Sequence, residues 1–379
     1  MRSPRRRSKR AINRALRSGL VPSARPDRQI KARSLTRWGG LTPAAGYRLA
    51  ALRYPHEVAI VDDRGSMTFA DMDVRMDGLA RSFRALGIGE DALVGVMCRN
   101  HRGLIEATVA CSRVGADILY LDPDETPRVL SQATFRRTPQ VLICDDEFSD
   151  HVRAFAPTTK RLITRCEPGH SARHATFEEL ALKAPLMALP KATRMSNVTF
   201  AGEPRGKKLP CSLVTPRTAD VQLPLRRRDP LLLAASISNR WGFLNFTLGL
   251  RFASTLVLVS QFDPDAVLCA VDDQRVAALV LSREMLEEIT DLHPCRSGCH
   301  DTESLNVICI PGPYLSSSIA LPAVERFGNI LYNLGGTTIV RIESEWWDRR
   351  IDPLDSHQPV EATRFLATVL SQRRPELSR

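Results

Sequence analysis

The chain has 379 residues, 43% of them hydrophobic but only 6% aromatic, which is enough for a large, mostly aliphatic core and two or three domain-sized units. Its net charge of +11 is a property of one end: residues 1–40 carry 13 Lys and Arg against the single acid Asp27, a local +12 that leaves residues 41–379 at −1. A nucleic-acid binder with basic residues spread over a folded face does not fit that distribution, and no run reaches the ~18–20 apolar residues of a membrane span.

Residues 1–40 read as a basic, flexible extension. Within it, residues 7–20 can form a basic helix with Ile12, Leu16 and Leu20 on one face. Contact with an anionic membrane surface, a nuclear-localisation or nucleic-acid patch, an organelle presequence and a plain solvated extension all remain open. The amino terminus lacks an apolar secretory segment, and the nine cysteines are odd in number, with Cys144, Cys269 and Cys309 in apolar runs. Reduced thiols in a cytoplasm are the expectation, with peripheral membrane contact through the extension as an option.

From residue 44 the pattern becomes regular. It predicts a helix over 44–53, strands at 58–62 and 67–69 around a turn at 63–66, and a helix over 70–86 with Met72, Met76, Leu79 and Phe83 at helical spacing. Then come a strand at 93–98, a helix over 101–114, a strand at 118–121, a helix over 126–135 and a strand at 141–145. Residues 165–228, rich in Pro, Arg and Lys, read as irregular.

Strands at 231–235, 255–260, 276–281 and 305–310 then alternate with helices over 241–252, 264–272, 283–292 and 316–327. A last strand around Ile330, Leu331 and Tyr332 runs into Gly335-Gly336-Thr337-Thr338. A strand ending in glycines lets backbone approach a ligand at the strand's carboxyl end. Beyond residue 340 only a helical stretch near 362–370 stands out. Alternating strands and helices at these spacings imply an α/β fold of parallel βαβ units. The expected organisation is an extension over 1–40, a first α/β subdomain over 41–195, a second over 196–340 and an irregular tail over 341–379.

Three stretches in order carry a resemblance. The first is AIVDDRGSMTFADMD followed by LARSFRALGIGEDALVGVMCRNHRG. The second is DPLLLAASISNRWGFLNFTLGLRFASTLVLVSQFDPDAVL with VAALVLSREMLEEI. The third is PGPYL with LYNLGGTTIV. Together, over residues 41–340, they resemble the adenylate-forming (AMP-binding) superfamily, in particular its bacterial fatty-acyl-CoA synthetase branch. The resemblance implies the large amino-terminal domain of such an enzyme, built of two flavodoxin-like βαβ subdomains, with the small carboxy-terminal domain missing. It implies ATP-dependent activation of a fatty acid to acyl-AMP and transfer to coenzyme A, with ATP, Mg²⁺ and CoA as cofactors.

The resemblance also implies site residues. Gly202 and Lys208 match the phosphate loop, although Glu203, Pro204 and Arg205 stand where that loop has Thr-Thr-Gly. Trp241 and Gly242 match the acyl-pocket motif, with Asn239 at its usual histidine. Gly312, Gly336, Thr337 and Thr338 match the adenine-side motifs. There Gly335 replaces the stacking aromatic and Ile339 the Mg²⁺-binding carboxylate, which an alkyl side chain cannot imitate.

No residue is assigned a catalytic role, and full ligase turnover is expected to be weak or absent. The alternatives are a non-catalytic acyl- or nucleotide-binding module and a binder that acts through the basic extension. His293, Cys295, Cys299 and His300 crowd together, but their spacing matches no common zinc pattern and no metal site is assigned.

Overall fold

The computed structural model describes residues 42–156, 159–166, 174–186, 195–203, 208–212, 223–292, 300–311, 315–335 and 338–341. The basic extension, the tail after 341 and residues 293–299 lie outside them.

In chain order the elements are α1 (Pro43–Arg53), β1 (Val58–Asp62), β2 (Gly65–Thr68), α2 (Phe69–Ala85), β3 (Leu93–Met97), α3 (Arg102–Val114), β4 (Asp117–Tyr120), α4 (Pro127–Arg136) and β5 (Val141–Cys144). Next come α5 (Ser149–Phe155), β6 (Lys160–Ile163), β7 (Ala175–Thr176), α6 (Phe177–Leu182), β8 (Asn197–Phe200), β9 (Leu209–Pro210), β10 (Leu231–Leu233), α7 (Arg240–Phe252) and β11 (Leu256–Leu258). The series ends with α8 (Pro264–Asp273), β12 (Ala278–Val280), α9 (Arg283–Thr290), β13 (Val307–Pro311), α10 (Ser317–Phe327), β14 (Leu331–Gly335) and β15 (Thr338–Arg341).

Helix starts follow local chemistry. Thr68 and Asp71 form a capping box, so β2 ends at Thr68 and α2 begins at Phe69, one residue before the predicted start. Asn239, Asp263 and Ser282 cap α7, α8 and α9 with side-chain oxygens.

The strands form two sheets. One runs β7-β6-β5-β3-β4-β8-β9 and the other β15-β14-β13-β12-β10-β11-β1-β2. Pairing is parallel except at three sheet edges, where β2, β9 and β15 pair antiparallel.

Sheet membership does not change at residue 195, where the sequence suggested a division. The hairpin β1–β2 crosses to the eight-stranded sheet, with Ile60 opposite Leu256, and β8–β9 belong to the seven-stranded one. The stretch expected to be irregular contributes β7, α6, β8 and β9. Its strands are only two to four residues long and carry no apolar run, so periodicity cannot reveal them.

The two sheets share one core. Val94, Val96 and Ile143 of one sheet and Leu231, Leu233 and Val280 of the other join Met72, Met76, Leu104, Ile105 and Phe243 in a single buried cluster. Helices α1, α2, α3 and α7 therefore lie between the sheets. Alternate residues face outward: Leu232 and Leu279 pack under α8, α9 and α10, whereas Met97, Leu142 and Cys144 pack with residues of α4 and α5. The result is five layers. All seven described cysteines are free thiols, and no described helix is long and apolar enough to cross a membrane.

Asn100 ties the sheets at their carboxyl ends. Asn100, just after β3, donates from Nδ2 to Leu233 O (3.1 Å) and Ala235 O (2.9 Å), and its Oδ1 accepts from Ile237 N (2.9 Å). It is 5% exposed. The turn it holds, between β10 and α7, also receives Gly242 beneath it. A Cβ on Gly242 would lie 2.0 Å from Ser236 O and 2.9 Å from Ile237 N, so no other residue fits without moving the turn.

A second buried hub lies alongside. Asp145 accepts hydrogen bonds from His101 Nε2 (2.7 Å), Arg99 N (2.9 Å) and Thr164 Oγ1. His101 Nδ1 accepts from Gly103 N (3.0 Å) and caps α3, which fixes the Nε2–H tautomer. Burial pushes Asp145 up, but the hydrogen bonds from His101, Thr164 and Arg99 N outweigh it and hold the carboxyl below its usual range.

Two predictions follow from these ties. Asn100→Ala removes the hydrogen bonds to Leu233 O, Ala235 O and Ile237 N between the sheets and is expected to cost about 2–4 kcal/mol in urea unfolding. Gly242→Ala strains the same turn, so the double variant should cost less than the sum of the single changes; strict additivity would show that the turn and the clamp are independent.

Asp145 contributes to the acid limb, with Asp62 and Glu178, which are also held below their ordinary values. Its folded value lies below the ordinary ~3.9, so its stabilisation is complete above about pH 4 and is lost as pH falls through the folded-state value. Asp145→Asn should lower Tm at neutral pH and flatten the decline below about pH 4. Parallel acid limbs in both proteins would rule this out.

Candidate functional site

Ligands of open parallel sheets bind beyond the carboxyl ends of the strands. Here those ends, from β3, β4 and β8 of one sheet and β10 to β13 of the other, border a single cleft of about 790 Å³. Phe200, Trp241, Val259, Phe262 and Met285 give it apolar walls. Trp241 is set by its indole, which donates from Nε1 to Leu281 O (3.1 Å) and ties α7 to the end of β12.

The polar lining is unevenly charged. Asp122, Asp124, Glu125 and Glu203 contribute carboxylates; Arg99 and Arg240 contribute guanidinium groups. Arg99 is held by Glu147 through a two-nitrogen fork at 2.8 and 2.9 Å. Arg240, the first residue of α7, meets Glu203 at 3.2 Å, so the second pair bridges the two sheets. Asp122 follows β4. Burial raises its carboxyl above the usual range, with Asp124 adding to the rise, against hydrogen bonds from Asp124 N, Ser236 and Asn239.

Asn239 caps α7 through Oδ1 to Gly242 N (3.0 Å) and also hydrogen-bonds Asp122. Its two partners hold it as a fixed strut.

The sequence-matched residues divide into three groups. Gly202 and Trp241 line the cleft, and Gly242 stands behind Trp241 under the 236–237 backbone. Gly202 has φ +84°, a left-handed conformation that suits glycine, and it packs over the Glu125 carboxylate. Lys208 is directed elsewhere: its Nζ lies 3.7 Å from Asp117 Oδ2, at the amino end of β4, and it does not line the cleft. Thr338 opens β15 opposite Gly335, in a hairpin whose first strand continues the sheet beside β13. Gly312, Gly336 and Thr337 lie outside the described residues.

Sequence reading assigned no role to Asn100, Asp122, Ser236 or Arg240. Asp122 carried a usable signal, an acid directly after the buried run of β4. Arg240 carried none, because its partner Glu203 is 37 positions away.

A family model described as AMP-binding enzyme matches residues 47–340. A feruloyl-CoA synthase from Amycolatopsis sp is 27% identical over 275 residues, which cover 72% of this chain and 54% of that protein. A glycine betaine reductase of Emericella nidulans is 27% identical over 167 residues, 44% of this chain and 12% of that protein. The chain thus spans about half the length of the first relative and a small part of the second.

Among solved structures, an anthranilate CoA ligase in complex with anthranoyl-AMP aligns with a TM-score of 0.68 at 15% identity, over 78% of this chain and 60% of that one. The N-terminal domain of FACL13 from Mycobacterium tuberculosis aligns with a TM-score of 0.67 at 16% identity, over 82% and 80%. The fold is that of the amino-terminal domain of these enzymes, and with more than half its length matched by the family model, the chain belongs to the AMP-binding enzyme family.

Proposed function

We propose that the cleft takes an apolar carboxylic acid and that the chain belongs to an acyl- or aryl-CoA ligase that activates this acid as an acyl adenylate. The observation that carries the reading is the cleft itself, walled by Trp241, Phe200, Phe262 and Met285 at the carboxyl ends of both sheets. ATP, when bound, supplies the adenylyl group and the pyrophosphate leaving group, and coenzyme A is the acyl acceptor. The fatty-acyl likeness of the sequence favours an aliphatic acid. The name of the feruloyl-CoA synthase favours an aromatic one.

The described lining suits the acid better than the polyphosphate. Glu203 adds a carboxylate beside Gly202, and its N–H is already given to Phe200 O (3.4 Å) instead of facing a ligand. Ile339 stands where the family has its Mg²⁺-binding carboxylate. Adenylation by this chain is therefore slow. A binding module that holds the acid without turnover is the second reading, favoured by the same Glu203.

Acid-dependent ATP–pyrophosphate exchange tests the proposal, with aliphatic and aromatic acids run beside an ordinary ligase. Exchange should appear at least about a hundredfold below that ligase, the scale of losing one charge-stabilising group. Trp241→Ala should weaken binding of the best acid about tenfold in calorimetry, as apolar wall is lost. A protein that melts cooperatively yet neither exchanges nor binds any acid would overturn both readings.

A further inference from the structure

Charge pairs in the cleft differ in how firmly they are made. The guanidinium of Arg99 is engaged by both carboxylate oxygens of Glu147. Arg240 meets Glu203 through the single nitrogen Nη1 at 3.2 Å, and its side chain stays 41% exposed while that of Glu203 is 17% exposed. The guanidinium carries five N–H donors in a planar fork suited to an oxyanion. Glu203 sits one residue beyond Gly202, whose φ of +84° turns the chain toward the cleft, and Glu125 packs beneath that glycine. An internal carboxylate thus occupies the position in front of the cleft's one loosely held described cation.

We propose that Arg240 is the oxyanion-binding side chain of this cleft and that Glu203 plugs it, so that an incoming phosphate or carboxylate displaces Glu203 from Arg240. The plug links the sheets as well: Glu203 follows β8 and Arg240 opens α7, so an anion on Arg240 frees the 201–203 turn from the other sheet. A competing internal carboxylate lowers apparent anion affinity by the fraction of time that the plug is out. The proposal rests on the ligase reading only for the expectation that the anion is a phosphate.

The test is calorimetric titration of the full chain with two probes, inorganic pyrophosphate and octanoate. Glu203→Gln removes the plug's charge and should tighten one of them about tenfold, with the gain shrinking as salt rises. The gain should vanish in the double variant Glu203→Gln/Arg240→Gln. A gain for pyrophosphate identifies a phosphate as the displacing group, and a gain for octanoate identifies the carboxylate of the acid. Unchanged affinity for both probes, or a gain that survives without Arg240, would overturn the proposal.

Should Glu203→Gln not melt cooperatively, Glu203→Asp shortens the plug and should give a smaller gain of the same sign; no gain there would count against it equally. ATP–pyrophosphate exchange separates the two claims. Exchange with unaltered anion affinity in Glu203→Gln removes the plug and keeps the ligase reading. A tenfold gain without acid-dependent exchange in either protein keeps the plug and removes the ligase reading.

Discussion

The backbone between β10 and α7 is held from the opposite sheet. β10 ends at Leu233, Ala235 lies beyond it, and Ile237 N lies in the turn before the helix is capped. Buried backbone groups of this kind need partners. Asn100 supplies all three bonds from the opposite sheet, and an amide is well matched to the task because it offers donors and an acceptor in one plane. Ser238 Oγ adds a contact to Cys98 O at 3.5 Å. Everything that lines the cleft from the α7 side hangs from this turn: Ser236, Asn239, Arg240 and Trp241 all lie within seven positions of Ala235.

Much of the layer structure was legible because buried parallel strands are written as continuous apolar runs. Val141–Cys144 and Leu231–Leu233 are examples. What could not be read was which sheet a strand joins. β1 pairs with β11 almost two hundred positions later, and no local pattern encodes that choice. The strands β6 to β9 escaped for the opposite reason: a strand such as Lys160–Ile163 owes its place to its neighbour β5, with no apolar run of its own.

The site shows the same division. Trp241 and Gly242 were visible as a motif, but the need for glycine comes from Ser236 O, which only the folded turn brings to it. The negative charge of Glu203 was visible, and its partner was not. Lys208 matched the phosphate-loop pattern by order along the chain, yet the antiparallel pairing of β9 with β8 and the pull of Asp117 turn its ammonium to the other end of the sheet.

Two aspartates at the ends of strands in one sheet show how the cleft differs from its surroundings. Asp145, after β5, is enclosed by His101, Thr164 and the Arg99 amide, which hold its carboxyl below the usual range. Asp122, after β4, faces the cleft beside Asp124, and burial outweighs the bonds from Ser236 and Asn239. The difference lies in the donors each carboxylate meets, since both are buried. Asp122 is also where the turn after β10 reaches across to β4, as Asn100 is for β3 and Glu203 for β8. One turn of the eight-stranded sheet is thus stitched to three consecutive loop ends of the other. Two of those three stitches are made by carboxylates that border the ligand space, so the charge of whatever enters the cleft acts directly on the bonds that hold its walls together.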